Sequence, residues 1–452
     1  VADHARSDDP AVQAQLDRFA QLSPGRDILG LERIALLLGA IGNPHLKLPP
    51  VLHVAGTNGK GSTCAFLRAA IEGAGLTAHA YTSPHLVRFN ERIRVAGSLI
   101  EDAPLASILA EVLDAAEAAD IGPSFFEATT AAAFLAFSRT PADATIIEVG
   151  LGGRLDATNI IPAPIVTGIA QLGLDHEAFL LDPENGPDYP PLERTGFEKA
   201  SIAKSGVPLV AMNYAKAVMA RVAEVAAGVG APLVAQPQGW DCTAQQGQLH
   251  YRDAHGTLSL PLPRLPGQHQ CTNAGLAIAM LRHQSVLKIP EAAYAAAMGA
   301  ASWPARLQLL TPGPLTAHLN AAEEIWLDGG HNPNAAEMIA SFLQSRGQES
   351  SKPDIILGML ANKDARTFLQ ILAPVVRSVT AVPIPGHEHH SHEAVMTMAT
   401  DAGIGETYAA PDVEAALHHL AKSRTGENPR VAILGSLYLA GLVLQANGQL
   451  PD

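Results

Sequence analysis

Val51-Leu-His-Val-Ala55 runs without a break into Gly56-Thr57-Asn58-Gly59-Lys60-Gly61-Ser62-Thr63, and an Ala- and Leu-rich helical stretch follows from Ser62. A short apolar run, a glycine loop and a helix, in that order, predict a buried strand that delivers the chain to a phosphate cradle. Glycines leave backbone amides free to face phosphate oxygens. Lys60 neutralises terminal phosphates, and the helix N-terminus adds partial positive charge. The usual phosphate-loop pattern has Gly where Val54 stands and Ser or Thr where Gly61 stands; here the hydroxyls are displaced to Ser62 and Thr63. A plain Gly-rich turn is the alternative, and the coincidence of Gly, Lys and hydroxyl at a strand-to-helix junction disfavours it.

Outward from this loop, apolar or β-branched runs at 77–81, 145–149 and 165–169 alternate with helical stretches, one of them starting at Glu127. Such punctuation predicts an α/β domain with a mainly parallel sheet. Across Trp303-Pro-Ala-Arg306 and Thr311-Pro-Gly-Pro314 the pattern resets. Runs at 325–328, 354–358, 378–382 and 431–435 then read as strands of a second, smaller α/β domain. The expected division is 1–305, a linker at 306–313, and 314–452. Residues 209–265 are less regular and read as strands decorating the edge of the first domain.

With 452 residues, 47% apolar and 16% charged, the chain has ample material for more than one core. No run of about eighteen apolar residues suggests a membrane span. Residues 1–10 lack the basic-then-apolar layout of a secretory signal, so a cytoplasmic location is expected. Cys64, Cys242 and Cys271 are odd in number and widely spaced, and read as small core residues rather than as a disulfide framework or a zinc site. A net charge of −14 with no basic run argues against nucleic acid as a partner, although a local nest of amides still suits an anionic ligand such as ATP. A monomer is expected.

Gly-Thr-Asn-Gly-Lys-Gly-Ser resembles the phosphate loop of folylpolyglutamate and dihydrofolate synthases, relatives of the Mur ligases. The resemblance continues through Thr82-Ser-Pro-His-Leu86, Phe89-Asn-Glu-Arg-Ile93, Phe126-Glu-Ala-Thr-Thr130, Glu148-Val-Gly-Leu-Gly-Gly-Arg-Leu-Asp-Ala-Thr-Asn159, Leu174-Asp-His176, Glu198-Lys-Ala200 and Leu265-Pro-Gly-Gln-His-Gln270 with Asn273. Past the linker it takes in Trp303-Pro-Ala-Arg306, Asp328-Gly-Gly-His-Asn-Pro333, Gly358-Met-Leu-Ala-Asn-Lys-Asp364 and Gly435-Ser-Leu-Tyr-Leu-Ala-Gly441. It implies a P-loop ATPase-type N-terminal domain and a smaller Rossmann-like C-terminal one. The implied activity is ATP- and magnesium-dependent ligation of L-glutamate to a folate or dihydropteroate carboxylate.

A carboxylate does not react with an amine at neutral pH, so such a ligase first forms an acyl phosphate, a step that needs positioning and charge neutralisation. Thr57, Asn58, Gly59, Lys60, Gly61 and Ser62 suit the phosphates. Ser83 and Glu148 lie at strand ends beside the loop and offer the hard oxygens magnesium prefers. The resemblance implies that both bind metal, with His176 on a second ion; by residue type alone, His176 reads as a hydrogen-bonded loop histidine. It further implies that Lys199 is carbamylated to N6-carboxylysine, and that Asn273, Arg306 and Asp328, on either side of the linker, contact ATP. Two departures bear on Lys199: the Pro-rich segment 177–197 is longer than the family's, and Ser201 replaces its usual glycine. His331, Lys363 and Ser436, each just after a predicted strand, are assigned to phosphates or glutamate. The resemblance implies that the pterin end is held by Asp27, Ile28, Leu29, Ser124, Phe125, Phe126, Glu127, Leu155, Asp156 and Ala157. Phe125 and Phe126 would stack on a flat ring and Asp156 would accept its amino hydrogens.

Gly386-His-Glu-His-His-Ser-His392 matches no family motif and reads as a solvated loop, with adventitious zinc or nickel binding as the alternative. Other readings of the whole chain are a Mur-type ligase for nucleotide-linked peptides, a non-catalytic nucleotide-binding protein on the same fold, and a simple kinase or ATPase. Joint retention of Lys60, Ser83, Glu148 and His176 disfavours the non-catalytic reading, and the Asp328–Pro333 motif disfavours the last.

Overall fold

A computed structural model describes residues 5–22, 29–318, 324–346, 352–424 and 430–452. The chain divides into two compact units, Val1–Arg264 with Gln270–Ser302 and Asp452, and Leu265–His269 with Trp303–Pro451.

In the first unit the strands are β1 (Val51–Ala55), β2 (Ala78–Tyr81), β3 (Ile93–Val95), β4 (Ser98–Leu99), β5 (Ala144–Glu148), β6 (Val166–Ile169), β7 (Leu209–Ala211) and β8 (Leu233–Ala235). They form an 8-stranded sheet in the order β4-β3-β2-β5-β1-β6-β7-β8. The run from β2 to β8 is parallel, and β3 and β4 add antiparallel at one edge. β1 and β5 are buried along their whole length, as expected of central parallel strands covered on both faces. His53, within β1, is fully enclosed and bonds Thr158 Oγ1 through Nε2 at 2.9 Å; burial lowers its pKa to about 3. It is a neutral structural group.

Two helices begin earlier than the sequence pattern suggests, each for a local reason. The helix after the phosphate loop spans Lys60–Gly73, because Gly59 at φ 84° turns the chain and Thr63 N–H already bonds the Gly59 carbonyl at 2.9 Å. The next spans Phe125–Arg139, with Ser124 as its N-cap. Ser124 Oγ accepts from the Glu127 amide at 3.3 Å while Glu127 Oε2 accepts from the Ser124 amide at 2.7 Å, a reciprocal capping box.

Residues 209–265, read as edge decoration, are more regular than that. β7 and β8 extend the parallel sheet around the helix Lys216–Val229, and β9 (Trp240–Gln245), β10 (Gln248–Asp253) and β11 (Gly256–Pro261) form a separate 3-stranded antiparallel sheet. Turn residues Gln246 and Gly247, both at positive φ, close its first hairpin. Cys64 is buried, but Cys242 and Cys271 are only half-buried, so the core reading holds fully for the first alone.

The second unit holds β12 (Gln308–Leu309), β13 (Ile325–Leu327), β14 (Asp354–Leu357), β15 (Ser378–Ala381), β16 (Glu406–Ala409) and β17 (Val431–Leu434). Their order is β12-β13-β17-β14-β15-β16, parallel except for β12. Its core is built on Trp326, Ile339, Phe342, Phe368, Leu369 and Val379. Among the described residues no helix is long and apolar enough to cross a membrane.

Candidate active site

The phosphate loop leaves the carboxyl end of β1 and is tied to the segment after β6 through Thr57. Its amide donates to Gln171 O at 2.8 Å, its hydroxyl to Gly173 O at 2.9 Å, and Gly173 N–H returns a bond to that hydroxyl at 3.1 Å. The loop and the start of Leu174-Asp175-His176 are thereby held together. Lys60 Nζ folds back onto the Gly56 carbonyl at 3.1 Å. Ser62 and Thr63 are buried in the first turn of the helix. Asn273 Oδ1 lies only 2.5 Å from where a Cβ on Gly59 would stand, so Gly59 is required both by its backbone conformation and by this approach.

At the ends of the neighbouring strands, the buried Glu148 carboxylate accepts from the Ser83 amide at 3.3 Å. Glu148 and Lys60 both act electrostatically on the Cys64 thiol, whose pKa is raised first by burial. Lys199 belongs to the same neighbourhood. It is 4% exposed, and burial, reinforced by the charge of Lys60 and opposed by Asp175, Asp156 and Glu198, lowers its pKa to about 7. These donors suit magnesium: a hydroxyl and a carboxylate supply hard oxygens, and such an ion draws its remaining ligands from phosphate and water. Among the described residues no group of His, Cys, Asp and Glu forms a ready-made cage for a metal. His176 is exposed, at φ 53°, with its amide on Asp175 Oδ1 at 2.8 Å.

Segment 177–197, the departure from the family pattern, is anchored rather than loose. Arg154 and Arg194 both pair with the buried Glu198 carboxylate, at 3.1 and 2.9 Å. Arg154 Nη2 also donates to the Asn185 carbonyl, and Arg194 Nη1 to that of Pro187. The Arg154 amide bonds Glu198 O at 2.8 Å, joining the loop after β5 to the helix Pro191–Ala200 that carries Lys199. Ser201 caps that helix at φ −70°, a conformation open to any residue, and its Oγ bonds Phe197 O at 2.8 Å. The geometry therefore asks for no glycine at 201.

Of the residues assigned to the pterin end, Asp27 and Ile28 lie outside the described residues, and Leu29 is half-buried. Phe125 and Phe126 pack, with Ala157, against one core cluster that also holds Phe89 and Phe134. The Phe126 ring lies so close to Gly150 that a Cβ there would stand 2.4 Å from its Cζ. Glu127 is engaged by its capping box and by Arg33 at 3.1 Å. Asp156 is engaged too, accepting from the Leu151 amide at 2.8 Å and from Thr158 N–H at 3.0 Å; burial outweighs these bonds and raises its pKa. Leu155 is half-buried beside it.

In the second unit Arg306, Asp328 and His331 gather at the carboxyl end of β13. Asp328 accepts from the Leu307 amide at 2.8 Å and the Gly330 amide at 2.7 Å. Burial raises its pKa, and the charges of Arg306 and His331 oppose that rise. His331 Nδ1 meets Gly329 O at 2.9 Å. Ser436 caps the helix Leu437–Ala446, its Oγ accepting from Tyr438 N–H at 3.1 Å. Lys363 sits after β14, and its carbonyl meets His390 Nε2 at 2.9 Å. The histidine-rich stretch is thus not simply a solvated loop: His389 bridges to Leu360, and the His387 ring stacks on Tyr438 at 3.9 Å. The sequence reading passed over Arg154 and Glu198 as functional supports, although both stand inside motifs it quoted.

Residues 314–446 match the family model for the dihydrofolate synthetase C-terminal domain. A dihydrofolate synthase/folylpolyglutamate synthase from Escherichia coli (strain K12) is 36% identical over 360 residues, covering 79% of this chain and 78% of that protein. The structure of E. coli FolC in complex with DHPP and ADP superposes with a TM-score of 0.84 at 31% identity, covering 97% of each chain. A bifunctional folylpolyglutamate synthase/dihydrofolate synthase with Mn, AMPPNP and L-glutamate bound gives 0.81 at 30% identity, covering 96% of this chain and 97% of that one. Likeness of this extent, in sequence and along nearly the whole fold, makes the chain an ATP-dependent ligase that joins an acid to an amino acid. The chain belongs to the folylpolyglutamate synthase/dihydrofolate synthase family.

Proposed function

We propose that this enzyme uses ATP and a divalent metal ion to join the amine of L-glutamate to the carboxylate of a folate-type substrate, accepting both dihydropteroate and reduced folate. The phosphate loop and the Ser83–Glu148 pair at the carboxyl ends of β1, β2 and β5, with buried Lys199 on the helix Pro191–Ala200 in the charge environment of Lys60, carry this reading. Lys60 and the amides of 57–62 hold the phosphates. The substrate carboxylate attacks the γ-phosphorus, the bond to ADP breaks, and the acyl phosphate forms; the glutamate amine then attacks the acyl carbon and inorganic phosphate leaves. Ser83 and Glu148 would hold a magnesium ion, which supplies charge neutralisation on the phosphates, and His176 would serve a second ion. Lys199, as an amine, adds to carbon dioxide with loss of one proton and becomes a carbamate anion. Asn273, Arg306 and Asp328 would contact the nucleotide, and His331, Lys363 and Ser436 the phosphates or glutamate. Phe126 against Gly150, with Phe125, Leu155 and Ala157, would form the pterin wall, whereas Glu127 and Asp156 would support it from behind. The enzyme acts as a cytoplasmic monomer in this reading.

Phosphate release is measured with ATP, magnesium, L-glutamate and either dihydropteroate or tetrahydrofolate, each omitted in turn. Release that needs every component, with a glutamate-sized mass gain in product from both acceptors, is the expected result. Release without acceptor or glutamate would overturn it in favour of a simple ATPase.

A further inference from the structure

Gln270 lies on the helix His269–Arg282 one turn before Asn273 and is completely enclosed. Its Oε1 accepts from Asn273 Nδ2 at 3.0 Å, and its Nε2 is buried without a hydrogen-bond partner. A buried orphan donor of this kind costs stability, so packing alone would favour an apolar side chain of similar volume at 270. What the amide supplies is direction. With Nδ2 of Asn273 engaged by Gln270, the Asn273 Oδ1 is turned toward the phosphate loop, against Gly59, where a Cβ would have to displace it.

We infer that Gln270 is a positioning residue for the nucleotide: it fixes the amide of Asn273 against the phosphate loop, and the enzyme keeps it at a cost in stability. The inference rests on the proposed contact of Asn273 with ATP. Removing the acceptor frees Asn273 to rotate, which weakens nucleotide binding without touching the acyl-transfer groups.

The test compares Gln270→Leu, Gln270→Met, Asn273→Ala and the double variant Gln270→Leu/Asn273→Ala in the full-length enzyme, by KM for ATP, kcat at saturating ATP, and Tm. The expected result is a KM for ATP raised about tenfold in both Gln270 variants, the order of one lost orienting hydrogen bond, with kcat within about twofold. Tm should be equal or higher in at least one of them. The double variant should be no worse than Asn273→Ala alone. A wild-type KM in the Gln270 variants, or a KM rise that adds fully to that of Asn273→Ala, would overturn the inference. A lowered Tm in both Gln270 variants would equally mark 270 as a packing position. A wild-type KM in Asn273→Ala would overturn the underlying contact itself, separately from any effect at 270.

Discussion

The carboxylate of Glu148, at the end of β5, accepts a hydrogen bond from the backbone amide of Ser83 at 3.3 Å, just after β2. Two neighbouring strands thus present an acidic oxygen and a hydroxyl residue side by side. An amide oxygen at 148 can still accept the Ser83 bond but carries no charge for a metal ion. Glu148→Gln should therefore fold normally, with Tm within a few degrees, yet lose activity by about a hundredfold or more at ordinary magnesium concentrations. Wild-type magnesium dependence in this variant would remove Glu148 from the metal site.

The buried amine of Lys199 titrates at about 7 rather than at the usual 10.5. Between these values the unfolded chain holds a proton that the folded chain has released, so stability contributed at this site rises with pH from about 7 to about 10.5 and is lowest below 7. Lys199→Met should flatten that part of the stability curve and raise stability at pH 6 by at least about 1 kcal/mol, measured by denaturant unfolding without added bicarbonate. The same variant should be nearly inactive. Lys199→Ala should regain activity with a short-chain carboxylic acid, and full activity without such an acid would rule out the carbamate.

Gly59→Ala introduces a methyl group 2.5 Å from Asn273 Oδ1 at a residue with φ 84°. Backbone strain of about 1–2 kcal/mol is expected. Displacement of Asn273 should add a loss of ATP affinity that exceeds any change in affinity for the folate substrate. Calorimetric titration with ADP would measure it; unchanged affinity would show that the loop tolerates the shift.

Ser201→Gly restores the residue usual in the family, but at φ −70° glycine gains no conformational advantage. Loss of the Oγ bond to Phe197 and the added chain entropy should cost about 0.5–1 kcal/mol. Activity and its bicarbonate dependence should stay within about twofold. A large gain in either would mean that Ser201 restrains Lys199.

Where a physical rule acts over a few consecutive residues, the sequence carried the site openly. The strand, glycine loop and lysine of 51–60 needed only local pattern, as did the strand-end positions of Glu148 and Asp328. Of the two helix starts, the one after Gly59 depends on a dihedral angle that residue type leaves open, whereas Ser124-x-x-Glu127 is a capping box that the sequence displays and that placing the start at Glu127 overlooks. The antiparallel sheet of β9, β10 and β11 was legible in part, since Leu249 and Tyr251 in β10 and Leu258 and Leu260 in β11 alternate with more exposed residues, but β9 buries little beyond Trp240 and hides the pattern. The anchoring of segment 177–197 depends on pairings between positions as distant as Arg154 and Glu198, and spacing alone cannot reveal them. The engagement of Asp156 by Leu151 and Thr158, likewise, is set by how one turn closes.

Glu198 has a mechanical meaning. Two guanidinium groups meet on its single carboxylate, and each reaches onward to a different carbonyl of the proline-bearing segment, at Asn185 and Pro187. Pro183, Pro187, Pro190 and Pro191 already restrict the freedom of that stretch when unfolded, so little anchoring is needed to keep it ordered. The arrangement works as one rivet through two straps. Neutralising Glu198 would release both together, and the segment would open to proteolysis as a unit rather than fray from one end.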